Sequence, residues 1–387
     1  MPVQRFEADT IGGLDWPATP DGDYARRWLL PFMQNGPLAY IANAHASVQV
    51  LKLGEALLPI TLSDFHPANS YVCSPYTHYV SYAREEFRHL RNPPVERLLR
   101  LLFGPLGGYL RAAQLDRVVY VNNWLLSTNL YPALNAEQVR GALEHLRAAF
   151  PDRAIVFRSV EAAHYPAVDA ALAAAGCRRV FSRSIYFQDP ASAQVQRKLD
   201  YQRDLKLLAD GAYTVVDGAE LGPDDAARIL ELYNLLYLRK YSYYNPQFTE
   251  AFIKLALADR LLTIKVLRRD GGRDEGGHGV IDGALGYVAR GGLMTAPLFG
   301  YDTGLPQALA LYRRLSALVA QEGLRRQLEV HLSAGVGGFK RARGGRPALE
   351  YNLVYDAHLP ANRRRAWALV QALTERIAVP VIVRRGF

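Results

Sequence analysis

Apolar and polar positions along the chain follow a strand rhythm and a helix rhythm, and the two come in the same order twice. In the first half, residues 57–62 form a short apolar run that reads as a strand. Residues 84–113 carry helical spacing, broken at Pro93-Pro94 and at Gly104-Pro105. Residues 116–123 (DRVVYVNN) read as a buried strand, and 136–150 as an amphipathic helix capped by Asn135. A strand at 154–158, a helix at 166–175 closed by Gly176 and a strand at 179–187 complete the unit.

The second half repeats this order. Strands are expected at 213–216, 261–267, 280–289, 293–301, 327–333 and 349–355, and helices at 223–238, 248–258 and 306–321, the last with Pro306 at its first position. The glycine-rich stretch 270–279 reads as an exposed loop. A helix after Pro360 and a strand at 379–383 end the chain. Strands and helices in this alternation predict an α/β fold with a mixed sheet flanked by helices. The polar stretch 189–210 is the natural seam. It divides the chain into residues 1–189, a basic linker helix 190–211, and residues 212–387.

Composition agrees. A chain of 387 residues is long for one core and fits two domains of roughly 190 residues. Half of it is apolar and 21% is charged, which is ordinary for a globular protein. No apolar run approaches the ~20 residues that span a bilayer, and the start lacks the basic and apolar regions of a signal peptide. Cys73 and Cys177 are too few for a disulfide framework or a thiolate metal site. A soluble cytoplasmic protein, with no metal, is the expectation.

The net charge of +9 changes the picture, because arginine carries it and clusters late in the chain. Codon bias accounts for scattered arginines as well as any partner does. Arg363-Arg364-Arg365 open an amphipathic helix and read as a solvated face. The group around Lys340 lies among glycines, where it raises the local potential and attracts phosphates.

Three segments carry a resemblance. The basic helix QRKLDYQRDLKLLADG places Arg203 and Lys206 ahead of Gly211. YNLLYLRKYSYYNPQF is an amphipathic helix followed by an aromatic turn, with Arg239 as its basic residue. Phe339-Lys340-Arg341-Ala342-Arg343-Gly344-Gly345 is followed by Glu350-Tyr351 on a strand. In order and position these resemble the Fem family of tRNA-dependent aminoacyltransferases, and the duplicated layout looks like two GNAT acyltransferase (acyl-CoA N-acyltransferase-like) domains. The match covers about the C-terminal half, while the first half is compatible in layout. Ala342 stands where the family usually has Gly, and Arg343 where it has Phe.

The resemblance implies an acyltransferase that forms an amide by moving an aminoacyl group from aminoacyl-tRNA to an amine or hydroxylamine. The divergent first half implies an acceptor other than a peptidoglycan precursor, such as a small molecule of a specialised pathway. Lys340, Arg341 and Arg343, with Gly344, Gly345 and Arg239, would bind the donor's 3′-terminal phosphates, and Lys340 would also polarise the ester carbonyl. Candidates for proton transfer are Asp302 at the end of the central strand, and Glu329 and His331, which share a strand face. Tyr351 is a proton donor or an aromatic wall. Each of these has a plain structural role as its alternative. The segments SYVCSPYTHYVSY and NNWLLSTN offer Tyr71, Ser74, Tyr76, Asn123, Trp124 and Ser127 for an acceptor pocket, although the first segment alternates as a half-buried strand does.

An ordinary acetyl-CoA enzyme of this fold cradles pyrophosphate in a glycine-rich turn before a helix. Here that stretch, from Tyr301 to Ala308, has one glycine, Gly304, and its first-half counterpart from Asn129 to Asn135 has none. No tightly bound cofactor is therefore expected, with aminoacyl-tRNA as the donor. Two alternatives stay open: an acyl-CoA or acyl-carrier donor, and a non-catalytic ligand- or nucleic-acid-binding protein on the same fold.

Overall fold

The computed structural model describes residues 3–86, 93–273 and 279–385. The first repeat runs β1 (Val3–Phe6), α1 (Pro20–Asn35), β2 (Ser47–Leu53), β3 (Ala56–Ser63), a π-helical stretch Thr77–Tyr82, α2 (Ala83–Glu86), α3 (Pro93–Ala112), β4 (Val118–Val121), α4 (Ala136–Ala149), β5 (Ala154–Val160), α5 (Pro166–Ala174) and β6 (Arg178–Gln188). Two connecting helices follow, α6 (Ala193–Gln196) and α7 (Leu199–Leu208). The second repeat is β7 (Thr214–Asp217), α8 (Asp225–Tyr233) continued by a π-helical stretch Asn234–Tyr241, α9 (Glu250–Ala258), β8 (Thr263–Arg273), β9 (Gly279–Arg290), β10 (Leu293–Tyr301), α10 (Leu311–Arg326), β11 (Glu329–Ala334), α11 (Gly337–Ala342) and β12 (Arg346–Tyr355). The chain ends with α12 (Ala361–Leu373), a π-helical stretch Thr374–Ala378 and α13 (Val379–Arg385).

The chain forms two compact units that differ from its linear halves. Of the described residues, one unit takes those within Met1–Arg183, Ser242–Gln247 and Leu349–Arg385, and the other those within Ser184–Tyr241 and Phe248–Ala348. In the first unit the strand order is β1-β2-β3-β4-β5-β12. Only β4 and β5 run parallel there, and β12 pairs antiparallel with β5 through Val354↔Val156 and Tyr355↔Ile155. In the second unit the order is β7-β8-β9-β10-β11-β6. Again one pair is parallel, β10 with β11, and the closing strand is antiparallel, through Val330↔Gln188 and His331↔Phe187. Each repeat therefore supplies the last strand of the other's sheet.

The backbone repeats in detail as well. Parallel pairing in the first unit is last registered at Val121↔Phe157, and two residues later Ser159 turns left-handed at φ 58°. In the second unit it is last registered at Thr295↔His331, and two residues later Ser333 does the same at φ 59°. Non-glycine residues rarely adopt this conformation. Its recurrence at matching positions marks the duplication more firmly than any sequence identity between the halves.

Local sequence explains most elements. Asn135 and Gln138 form a reciprocal capping box that starts α4. The first unit's core gathers Val118, Tyr120, Val156, Val354 and Trp367, and the second unit's gathers Leu267, Leu285, Met294, Leu315 and Val330.

Several expectations need correction. α3 continues through Gly104-Pro105, and the break at Pro93 adjoins residues 87–92, which lie outside the described residues. β8 extends to Arg273 and β9 begins at Gly279, so part of the expected loop 270–279 is strand and the rest lies outside the described residues. α10 starts at Leu311 and not at Pro306, because residues 307–309 form a short 3-10 turn and Ala310 is left-handed at φ 52°. Residues 379–383, expected as a strand, are helical and continue the helical path that runs through Thr374–Ala378, with Pro380 inside it. α1, β1 and β2 had no counterpart in the sequence reading. The span Ala361–Arg384 is, by length and composition alone, long and apolar enough to cross a membrane, although Ala366, Trp367 and Val370 are buried in the first unit's core. Arg363 is no solvated residue either: it is 5% exposed and donates to the carbonyl oxygens of Asp152, Gln114 and Arg117.

Candidate functional site

In the first unit, β4 hands the chain to a buried loop that closes over the end of β5. Asn123 ties it down, its Nδ2 donating to Thr61 Oγ1 at 2.7 Å and to Val72 O at 3.0 Å, while Oδ1 accepts from Arg158 Nη1 at 2.6 Å. Asn129 holds the same loop through Trp124 N and Ser159 Oγ. Three non-glycine residues here are left-handed, Asn122, Leu125 and Ser159, and such strain persists only where surrounding contacts impose it.

Beside this loop, β6 and β12 contribute a buried ion pair. Arg183 donates to both Glu350 oxygens, and Ser182 Oγ adds a third bond at 3.1 Å. Burial alone would lower the Arg183 pKa, but the Glu350 carboxylate holds it above the ordinary value. The π-helical stretch adds His78 and Tyr79. His78 Nε2 lies 3.3 Å from Ser182 O, and the ring packs against Tyr71 and Tyr79. Burial, and then the positive charge of Arg158, push the His78 pKa down to about 4, so the imidazole is neutral at pH 7. Asn352 Nδ2 donates to Tyr79 OH at 2.9 Å, and burial pushes the phenol well up. Cys73 is sealed in the interior, its thiol pushed up to about 12 by burial, so it stays an uncharged thiol at pH 7.

Of the residues expected to form an acceptor pocket, Tyr71, Asn123 and Ser127 do meet around Arg158 and Arg183, with Tyr71 hydrogen-bonded to Ser127. Ser74 and Tyr76 do not join them. Ser74 Oγ and Tyr76 N both donate to Asp116, at 2.7 and 2.6 Å, near the start of β4. Burial there pushes the Asp116 carboxyl up to about 7, beside a cavity of about 180 Å³ lined in part by Phe65, Tyr76, Arg111 and Arg117. Trp124 is packing, its ring against Tyr24 and Trp28 of α1.

In the second unit, β10 and β11 separate after Thr295 and His331, and β10 shifts register against β9 between Thr295 and Leu298. α11 begins three residues beyond β11 and carries the Phe-Lys pair, and Gly344 and Gly345 lie in the turn that follows it. Lys340 is 6% exposed. Its Nζ donates to Ala334 O at 2.7 Å and to Ser333 O at 3.1 Å and sits over the Tyr186 ring. Arg341 Nη1 donates to Tyr186 OH at 2.8 Å. Arg343 pairs with Asp204 and lies 3.4 Å from the centre of the Phe339 ring. Gly344, at φ +83°, packs where a Cβ would meet Val195 at 2.7 Å. Arg239 is exposed on the π-helical stretch, next to Lys240, whose Nζ is 3.4 Å from Tyr301 OH. Tyr301, Tyr312 and Phe339 form a chain of edge-on ring contacts.

The expected proton-transfer residues are dispersed. Glu329 faces Leu293 at the start of the parallel pair and binds Arg346. Asp302 follows the far end of β10, about 30 Å along the strand. Burial raises the Asp302 pKa, but Arg228 at 2.8 Å and the Gly304 N–H outweigh it and hold the carboxyl below the usual range. His331 is 5% exposed, and its Nδ1 accepts the Ser333 N–H at 3.0 Å. Tyr351 belongs to the first unit, under Arg179. Sequence reasoning gave no site role to Arg158, Arg183, Glu350 or His78, although Glu350 stands in the Glu-Tyr pair that follows the Phe-Lys segment. For Arg158 and Arg183 the available signal was a charged residue inside an otherwise apolar strand. Among the described residues, no cluster of three or more His, Cys, Asp or Glu is arranged to hold a metal ion.

No protein-family model matches the chain, and no curated protein matches it either. Among solved structures it is similar to FemX, at 7% identity and a TM-score of 0.55, over 96% of this chain and 100% of that one. The likeness shows a shared fold. Weaker likenesses are to L-PGS from Bacillus licheniformis, at 12% identity, TM-score 0.43 and coverage of 61% of this chain and 77% of that one. A tandem GNAT protein from the clavulanic acid pathway is 12% identical, with a TM-score of 0.39 and coverage of 91% and 98%. Those two carry no argument.

Proposed function

We propose that the protein is an amide-forming acyltransferase that moves an aminoacyl group from aminoacyl-tRNA to an amine or hydroxylamine, acting in the cytoplasm where charged tRNA is found. The observation that carries this is the opening between β10 and β11, with Lys340 fixed at its rim by the Ser333 and Ala334 carbonyls. The acceptor nitrogen attacks the ester carbonyl carbon, the C–O bond to the ribose breaks, and the 3′ hydroxyl leaves with a proton. An activated ester needs no covalent nucleophile. What it needs is positioning, a free amine and a cation near the developing oxyanion. Lys340 is the cation, and Tyr301, Tyr312 and Phe339 offer ring faces to the donor's terminal base. Arg341 and Arg343 act mainly by shaping the site, since Tyr186 and Asp204 engage them.

A second reading is favoured by α10, whose first turn has no side-chain cap and follows the turn where an acyl-CoA would place its pyrophosphate. One assay separates the two. The protein is incubated with hydroxylamine and, in turn, charged tRNA, acetyl-CoA and a long-chain acyl-CoA, each against a protein-free control. Protein-dependent loss of the aminoacyl group from tRNA is expected. Consumption of a thioester, with charged tRNA untouched, overturns the tRNA reading in favour of the second.

A further inference from the structure

Arg158 lies in β5 with 4% of its surface exposed. Its Nη1 binds Asn123 Oδ1 at 2.6 Å and Leu126 O at 3.4 Å, and its guanidinium rests over the Tyr120 ring. No carboxylate pairs with it among the described residues, and its Nε and Nη2 have no partner there. The nearby Arg183 is neutralised by Glu350, so the cluster keeps one uncompensated positive charge in its interior. That charge is felt on several sides, because Arg158 lowers the pKa of each of Tyr71, His78 and Tyr79. A buried lone guanidinium is costly unless an anion completes it. The fork left open, Nε with Nη2, has the planar two-donor geometry that fits a carboxylate.

We propose that the first unit binds a carboxylate on Arg158, so that its small-molecule ligand is an amino acid or another amine that also bears a carboxylate. Only the amine half of that ligand rests on the transferase reading; the anion site stands or falls alone. A phosphate would fit less well, since a dianion calls for a second free cation and Arg183 is already paired.

The test uses the full chain labelled with ¹⁵N in its arginine side chains. The Arg158 Nε–H signal is assigned by its loss in Arg158→Gln. Sodium acetate is titrated at constant ionic strength, with sodium chloride and inorganic phosphate as parallel arms. A saturable shift of that signal with acetate alone is expected. Arg158→Lys, which keeps the charge without the fork, should bind acetate at least about tenfold more weakly, read from acetate's own broadening. No saturable shift, or the same shift with chloride, overturns the site. A shift with phosphate only overturns its assignment to carboxylates. Neither result touches the charged-tRNA assay, which can fail while acetate still binds Arg158.

Discussion

Arg183 grips Glu350 with two parallel bonds, Nε to Oε1 at 3.0 Å and Nη2 to Oε2 at 2.8 Å, inside the first unit. Glu350 is sealed almost completely, and Arg183 keeps only 12% of its side chain exposed. Breaking such a pair from one side strands a buried charge. Glu350→Gln should therefore lower stability by about 3–5 kcal/mol in urea unfolding, and Arg183→Met by a similar amount. The double variant Arg183→Met/Glu350→Leu should recover most of that loss. A double variant whose loss equals the sum of the two single losses would show that the pair is not coupled.

His78 gives the fold an acid limit. Its native pKa of about 4 lies below the ordinary 6.5, so between these values the unfolded chain binds more protons than the native one. Stability then rises with pH across that window and is lost as pH falls through it, by about 3 kcal/mol. His78→Gln should flatten the rise, as read from urea midpoints between pH 4 and 7.

Asp116 works in the opposite sense. Its carboxyl is raised from 3.8 to about 7, so the native state holds its proton longer and loses stability as pH climbs between those values. Asp116→Asn keeps an acceptor for the Tyr76 N–H and removes the ionisation. At pH 8 the variant should be the more stable by up to about 4 kcal/mol, and near pH 4 it should show no such gain. A variant less stable at both pH values would assign Asp116 a structural role that needs its charge.

Gly300 brings β10 against the backbone of α8. A Cβ there would lie 2.4 Å from Leu232 C and 2.5 Å from Tyr233 N, and a helix backbone does not yield as a flexible side chain does. Gly300→Ala should cost about 1–3 kcal/mol in thermal or urea unfolding. Gly304→Ala, four residues on, meets only the Asp302 side chain at 3.2 Å and should be mild.

Lys340→Met tests the second unit. It removes the bonds to Ser333 and Ala334 and should lower stability by about 1–3 kcal/mol. Under the proposed chemistry, it should also abolish transfer at temperatures where circular dichroism shows it folded. Full activity in the folded variant would remove Lys340 from the reaction.

The amphipathic helices and the Val-rich strands were legible because local pattern and tertiary role agree there, as at Asn135–Gln138 and in the VVYV run of β4. Reading failed where they conflict. The aromatic alternation of residues 71–82 mimics a strand, yet residues 77–82 wind as a π-helix that sets the His78 and Tyr79 rings in tilted contact. The β-branched residues of 379–383 mimic a strand too, but they continue a helix already under way. Arg158 was invisible because every residue of AIVFRSV is buried, whereas a period-two pattern assigns an arginine to the wet face. The exchange of last strands leaves no local trace, since β6 and β12 are each compatible with either sheet.

That exchange bears on how the chain is made. As it leaves the ribosome, the first unit has β5 without its neighbour until β12 is synthesised nearly two hundred residues later. Meanwhile β5 carries an open edge, open to mispairing with other nascent chains. A fragment ending at residue 189 would keep that unfinished edge permanently, so neither half is a natural module for expression or fusion.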